Sequence, residues 1–331
     1  MLRIGIDLGG TKIEGVVMDA EGALLKRIRI ASPSDSYASV LDALAALIAE
    51  LQHVTDADAN TPIGIGTPGA WVAAQQVMKN CNSTVLNGRP LLLDLEAVLG
   101  KRVRLANDAN CFALSEAMDG AAAGASTVFG VILGTGVGGG LVIDGQLVTG
   151  ATATAGEWGH TPVAYLRHPP RAVGSEAQQL DELQVRLADR ACYCGRLNCV
   201  ETFLSGPGLA RTAQELLGVA TTAEAVFAAE HPDAAGLVEV RELYCDLLAR
   251  SLAQVLNVVD PQAVVLGGGL SAQPLLYERL RALLPKYIFN SEGALAAGGE
   301  HGVQLLPPLH GDSSGVRGAA WLWPTGSAVT R

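Results

Sequence analysis

The sequence predicts an α/β fold of two lobes, and three observations predict it. Short apolar runs broken by glycine turns open the chain. The same strand, glycine turn, strand plan restarts near residue 127. Long helical periodicity then dominates the last third.

Arg3–Leu8, Ile13–Met18 and Ala23–Ile30 are apolar runs separated by Gly9-Gly10-Thr11 and Asp19-Ala20-Glu21-Gly22. Breakers this short favour antiparallel hairpins over crossovers. Ser32-Pro33-Ser34-Asp35 marks a turn and a helix cap. From Tyr37 to Gln52, Val40, Leu41, Leu44, Leu47, Ile48 and Leu51 keep helical spacing. Ile63–Gly66 reads as a buried strand ending in the turn Thr67-Pro68-Gly69, and Val103–Ala106 as another ending at Asn107-Asp108. Thr127–Leu133 is a strand, Gly134–Gly140 a glycine turn, and Leu141–Ile143 a strand closed by Asp144-Gly145. Its likeness to the opening hairpin reads as an internal duplication of β-meander-plus-helix units. The competing reading is that any two hairpins look alike.

Leu166 to Arg190 is polar, contains proline and has no clean period, so it reads as an insertion or mobile loop. Leu243, Leu247, Leu248, Leu252, Val255, Leu256 and Val259 mark one long amphipathic helix that stops at Asp260-Pro261. Val264–Leu266 is a strand running into Gly267-Gly268-Gly269. A last helix over Ser313–Trp323 follows Gly311-Asp312, with Asp312 as its cap.

The chain has 331 residues, enough for two or three domains, with 49% hydrophobic and 17% charged residues to build their cores. Lys plus Arg total 23 against 33 Asp plus Glu, a formal charge of -10, which argues against nucleic-acid and anionic-membrane partners. No stretch has transmembrane length and no signal peptide precedes the first strand, so a cytoplasmic setting with reduced thiols is expected.

Three glycine-rich turns directly follow apolar strands: Gly9-Gly10-Thr11, Gly134-Thr135-Gly136-Val137-Gly138-Gly139-Gly140 and Gly267-Gly268-Gly269. Their backbone N–H groups can cradle phosphate oxygens. No Walker A string exists, and Gly134–Gly140 runs into a strand rather than the helix of a Rossmann unit. Asp7 suits a Mg²⁺-bound phosphate, with Thr11 and Lys12 adding a hydroxyl and a charge. Equally, Asp7 can cap its own hairpin.

Cys192-Tyr193-Cys194-Gly195-Arg196-Leu197-Asn198-Cys199 supplies three thiolates in a short knuckle, and His160 lies upstream in Gly156-Glu157-Trp158-Gly159-His160. Three Cys and one His make a closed tetrahedral Zn²⁺ set, which implies a structural metal. Cys81, Cys111 and Cys245 are better candidates for buried reduced thiols. In Asn107-Asp108-Ala109-Asn110, Asp108 suits a base that orients a substrate hydroxyl and takes its proton late, while a helix cap is the plainer role for Asp108 or Asn107. Glu157 and His160 suit vicinal sugar hydroxyls, or else form a solvated turn.

In this order the strings resemble the ROK family of bacterial sugar kinases, within the actin-like ATPase (ribonuclease H-like) superfamily, over essentially the whole chain. The resemblance implies a small lobe over 1–118 plus 305–331 and a large lobe over 119–304 that carries the zinc knuckle. It implies ATP and Mg²⁺ at Gly5-Ile6-Asp7-Leu8-Gly9-Gly10-Thr11-Lys12, at Gly134–Gly140 and, on the adenosine side, at Gly267–Gly269. Asp108 matches the catalytic base and Asn107 the sugar-binding Asn. Glu157 and His160 match the Glu-x-Gly-His sugar motif, whose His also ligates structural Zn²⁺ with Cys192, Cys194 and Cys199. Gly69, Asn82 and Glu201 are further sugar contacts, and a homodimer is implied. The family usually has Gly where this chain has Asn198, and Asn tolerates left-handed backbone angles, so the knuckle is expected to survive.

Within the family the strings Lys79–Gly88, Ala155–His160 and Gly311–Trp323 most resemble the fructokinase branch, giving the 6-hydroxyl of fructose as the expected acceptor and mannose as the second sugar. N-acetylglucosamine kinases share Asn107–Glu116 and Gly134–Gly140 almost as well, and glucokinase is the other alternative. A sugar-sensing regulator is the reading from another class. Such repressors carry a DNA-binding helix-turn-helix ahead of a phosphate motif that here already starts at Gly5.

Overall fold

A computed structural model of the chain describes residues 1–58, 60–164, 182–228, 235–289 and 302–323. These residues form two compact units, one of 1–130, 140–156 and 308–331, the other of 131–139 and 157–307.

In the first unit the chain opens with β1 (Arg3–Leu8), β2 (Lys12–Met18) and β3 (Leu24–Ala31), an antiparallel meander as the short breakers predict. Helix α1 (Tyr37–His53) follows, then β4 (Ile63–Thr67), the hairpin β5 (Ala70–Val72) and β6 (Val77–Lys79), α2 (Leu91–Leu99), β7 (Val103–Asn107) and α3 (Asp108–Met118). The sheet order is β3-β2-β1-β4-β7, with β1, β4 and β7 parallel. Ile4, Ile6, Ile63 and Ile65 are buried in one core with Leu44, Ile48 and Leu51 of α1. The cap of α1 is Ser36, whose hydroxyl accepts from Ser39 N at 3.1 Å, just beyond the predicted Ser32–Asp35 turn.

Strands β8 (Thr127–Leu133), β9 (Val137–Ile143) and β10 (Gln146–Leu147) form the second meander. The next elements are α4 (Val200–Leu204), α5 (Gly206–Leu217), α6 (Ala223–Phe227) and α7 (Ala235–Val259). Strand β11 (Ala263–Gly267), α8 (Pro274–Leu283), β12 (Gln304–Leu306) and the closing α9 (Ser314–Trp321) complete the chain. The second sheet runs β10-β9-β8-β11-β12. Each sheet thus has a three-strand meander whose first strand is central and two later strands beyond it. That shared order supports the duplication over chance likeness of hairpins, and the fold is the two-lobed actin-like one.

Three local expectations change. Val137–Gly140 belongs to β9, so the second glycine turn is only Gly134–Gly136. Asp312 lies in a 3-10 turn, and no side chain caps α9. Of the stretch 166–190, residues 166–181 lie outside the described residues. The remainder is no loose loop: Arg190 is fully buried, donating to the carbonyls of Thr202 and Gly208 at 2.7 and 3.0 Å and pairing with Glu215 at 2.9 Å. A charged side chain this buried survives because both terminal guanidinium nitrogens are hydrogen-bonded and one of them is ion-paired with Glu215.

Helix α9 covers the first sheet. Trp323 donates its indole N–H to Ile63 O at 2.7 Å, and Arg3 lies 4.3 Å over the Trp321 ring. Glu116 of α3 is fully buried and accepts from the Ser314 hydroxyl at 2.8 Å and from Ala121 N and Leu309 N at 2.9 and 3.0 Å. Arg317 of α9 pairs with Asp119. These contacts lock α9 to α3, the helix that Asp108 begins.

Candidate active site

In the first unit the candidate residues gather at the carboxyl ends of three parallel strands. Register places Asp7 beside Gly66, and Thr67 beside Asn107. Ligands of open α/β sheets bind at this end, because the strands stop there and loops diverge.

Asn107 has extended backbone, and its side-chain oxygen accepts from Asn110 N at 2.7 Å, so it is the N-cap of α3. The capping role therefore falls to Asn107. Asp108 is the first helical residue, and its Oδ1 accepts from Ala109 N at 2.8 Å. Its side chain reaches solvent, yet enough protein surrounds it that desolvation raises its pKa. Its own N–H and that of Ala109 pull the other way.

Asp7 is half-buried, and the β1–β2 hairpin is closed by Gly9 N donating to Lys12 O at 3.0 Å, a bond that needs no side-chain cap. Burial, then the negative charges of Asp108 and Glu14, push Asp7 up to about 6, against the pull of Lys12. Its ordinary value is 3.8, so folding penalises the ionised form. The folded protein carries no such penalty below about pH 4 and the full penalty above about 6. Asp7→Asn should therefore stabilise the ligand-free protein at pH 8 by on the order of 1–3 kcal/mol, and the gain should fade as pH falls through 6 towards 4. Urea unfolding at both ends of that range checks it; a gain independent of pH would remove the electrostatic cause.

Gly69 and Asn82 come to the same end of the sheet. Thr67 donates its hydroxyl to Gly69 O at 2.7 Å, and Asn82 N donates to Pro68 O at 3.4 Å. Other members of the first motif serve packing. Ile6 and Leu8 are buried, and a Cβ on Gly5 would lie 2.2 Å from Val316 O of α9. Gly140, at the far end of the second motif, is likewise pressed against α3, where a Cβ would lie 2.9 Å from Ala109 O. Gly9, Gly10, Thr11 and Lys12 form the hairpin tip, Thr11 and Lys12 exposed.

In the second unit, Gly134–Gly136 is closed by Gly134 N donating to Gly136 O at 3.0 Å. Gly267–Gly269 lies beside it, close enough that a Cβ on Gly268 would meet Leu133 O at 2.4 Å. Val137 N donates to Glu201 Oε2 at 3.1 Å, and the Trp158 indole N–H donates to Gly138 O at 2.8 Å. Sequence reading gives Trp158 no role of its own; its signal is a large aromatic between the glycines of Gly156–His160, and the structure buries it. Glu157 precedes the 3-10 turn Trp158–His160 without capping it.

The ligand atoms of His160, Cys192, Cys194 and Cys199 all lie within 4.8 Å of one another. Cys192 Sγ is 3.5 Å from His160 Nδ1, and Cys194 Sγ is 3.5 Å from Cys199 Sγ. Four such donors converging on one point suit a tetrahedral thiophilic ion, with Zn–S near 2.3 Å and Zn–N near 2.0–2.1 Å. His160 Nε2 faces the Tyr193 hydroxyl at 2.9 Å, leaving Nδ1 for the metal side. Tyr193 is a neighbour that sequence reasoning missed. Cys81, Cys111 and Cys245 are buried apart from this group, as expected of the thiols outside the knuckle.

Asn198 stands at φ +58°, so the backbone here is left-handed, where Asn replaces the family's Gly. Its side chain adds bonds that Gly cannot: it donates to Asp189 at 2.7 Å and accepts from Arg190 N at 2.8 Å. Asn198→Ala should cost about 1–3 kcal/mol through αL strain and the unpaired Arg190 N–H. Thermal unfolding of the metal-loaded protein reads it, and an unchanged midpoint refutes it.

The strings that pointed to fructose hold the fold together. Asn87 accepts from Cys81 N at 2.9 Å and donates to Cys81 O at 3.0 Å. A Cβ on Gly69 would lie 2.5 Å from Lys79 O. Within Gly311–Trp323, Ser314, Arg317 and Trp323 make the α9 contacts described above. Asn87, Ser314, Arg317 and Trp323 are thus spent on packing and say little about the sugar.

Residues 3–326 match the sequence model of the ROK family. The chain is 36% identical over 323 residues to the N-acetyl-D-glucosamine kinase of Pasteurella multocida (strain Pm70), covering 97% of this chain and 99% of that one. It is similar to the crystal structure of the ROK hexokinase from Thermus thermophilus, with TM-score 0.77, 28% identity and 97% of each chain covered. It is also similar to a ROK family glucokinase from Streptomyces griseus in complex with glucose and AMPPNP, with TM-score 0.69, 26% identity, and 98% of this chain and 100% of that one covered.

Proposed function

The chain belongs to the ROK family, and on that premise we propose that it is an ATP-dependent sugar kinase whose acceptor is the 6-hydroxyl of N-acetylglucosamine. Relatives 36–38% identical over nearly the whole chain support this sugar, the alternative reading, over fructose.

The observation that carries the phosphotransfer reading is Asp108. It is a solvent-reachable carboxylate at the end of β7, with the cap of α3 already supplied by Asn107. In phosphoryl transfer the base orients the acceptor hydroxyl and takes its proton as the oxygen attacks the γ-phosphorus, so a carboxylate of modest basicity suffices. Asn107 and Glu157 hold sugar hydroxyls, His160 does so when a hydroxyl replaces that of Tyr193 at its Nε2, and Gly69, Asn82 and Glu201 are further contacts. Gly9–Lys12, Gly134–Gly136 and Gly267–Gly269 offer backbone N–H groups to the nucleotide. Asp7, once ionised, is the carboxylate for Mg²⁺, which when bound neutralises charge developing on the phosphates. The donors His160, Cys192, Cys194 and Cys199 hold a structural Zn²⁺ that shapes the knuckle. Among the described residues no helix is long and apolar enough to cross a membrane.

A coupled ADP-release assay with Mg-ATP tests the reading against N-acetylglucosamine, fructose, mannose and glucose. The expected result is a preference for N-acetylglucosamine, with at least about tenfold lower kcat/KM on fructose, because a site built to hydrogen-bond an acetamido group discriminates strongly against its absence. Preference for fructose would restore the fructokinase reading. No turnover with any of the four, from folded zinc-loaded protein, would overturn this sugar assignment.

A further inference from the structure

We propose that the Cys/His knuckle is the mount of the second glycine turn, with Trp158 and Glu201 as positioning residues that couple the knuckle to nucleotide affinity. The inference rests on the kinase reading, which assigns phosphates to Gly134–Gly136.

Three adjoining backbone groups leave that turn, and each is held by a segment that bears a knuckle ligand. Val137 N–H donates to Glu201, two residues after Cys199 on α4. Val137 C=O is pressed so closely by Gly159, the neighbour of His160, that a Cβ there would lie 2.0 Å from it. Gly138 C=O accepts from the indole of Trp158, two residues before His160. The two segments are also laced to each other: Val200 N donates to Thr161 O at 2.9 Å, and Pro162 bridges Cys199. Just beyond α4, Gly206 N donates to Gly134 O at 2.8 Å and fixes the other end of the turn.

A phosphate-binding turn works by aiming several N–H groups at once, so its affinity depends on how far it is ordered before the ligand arrives. Here the ordering contacts come from the two segments that four knuckle donors hold together. Trp158 is buried, so its indole N–H has no water to replace Gly138 O. Loss of the metal would release both segments and loosen the turn, and loss of the indole bond would loosen one edge of it.

The test is calorimetric binding of Mg-AMPPNP to the wild type, to Trp158→Phe, and to wild type stripped of transition metal by chelator and returned to Mg²⁺ buffer. Trp158→Phe keeps the ring and removes the donor. It should weaken Mg-AMPPNP about 3- to 10-fold, the range for one net hydrogen bond, with zinc content unchanged and N-acetylglucosamine affinity within about twofold. The stripped protein should lose more nucleotide affinity than the variant. Glu201→Ala, which removes the acceptor at Val137, is the second variant should Trp158→Phe fail to fold. Glu201→Gln, which keeps an acceptor oxygen, should retain the nucleotide affinity that Glu201→Ala loses. Wild-type nucleotide affinity in Trp158→Phe, in Glu201→Ala or in the folded stripped protein overturns the inference and leaves the kinase reading standing. A wild type that binds no Mg-AMPPNP overturns both.

Discussion

Asp108→Asn should lower kcat on the preferred sugar by about 10²- to 10⁴-fold, the usual contribution of a positioned base. The fold should survive, because Asn107 caps α3 and an Asn at 108 still offers an oxygen to Ala109 N–H. The pH profile separates this role from a structural one. Partial desolvation by the surrounding protein raises the pKa of Asp108, so wild-type kcat/KM should climb as pH rises and the carboxylate ionises. That acid limb should vanish from the residual rate of the variant. A kcat within about tenfold of wild type would remove Asp108 from the base role.

Gly318→Ala is expected to have the largest effect on stability. A Cβ at this position would lie 1.7 Å from Cys111 O and 2.4 Å from its carbonyl carbon. Those atoms are backbone of α3, so the clash cannot be relieved by rotating a side chain. Helix α9 would have to lift from α3, straining the Glu116–Ser314 and Arg317–Asp119 contacts. Overpacking of this kind costs about 3 kcal/mol or more. For a protein of this size that is a fall in Tm of roughly 4 °C or more. Activity should fall with it, since α3 begins at Asp108. A Tm within about 2 °C of wild type would show that the two helices can part cheaply.

Most strands and the long helices were legible because burial imposes a period. The opening meander, α1, β8 and α7 end within about a residue or two of where the apolar pattern stops, the usual uncertainty of element ends. The hairpin β5–β6 and helix α2 were not legible, since a three-residue strand and a nine-residue helix give too few repeats to show one. Arg190 was illegible for another reason. A lone charge beside a polar stretch reads as exposed until α4 and α5 bring carbonyls and Glu215 around it.

The same division runs through the candidate site. By itself the sequence determined the chemistry on offer: three thiols with an imidazole, a carboxylate beside an amide at a strand end, and glycine turns after apolar strands. Residue type and local spacing are properties of the chain, so these survive without coordinates. Only the tertiary structure decided which members of each motif are free for ligand and which are packing. Gly5 and Gly140 are glycine because helices press against them, Asn107 rather than Asp108 caps α3, and Trp158 and Glu201 reach the second turn from distant segments. Such choices depend on contacts between residues far apart in the chain, and no local pattern records them.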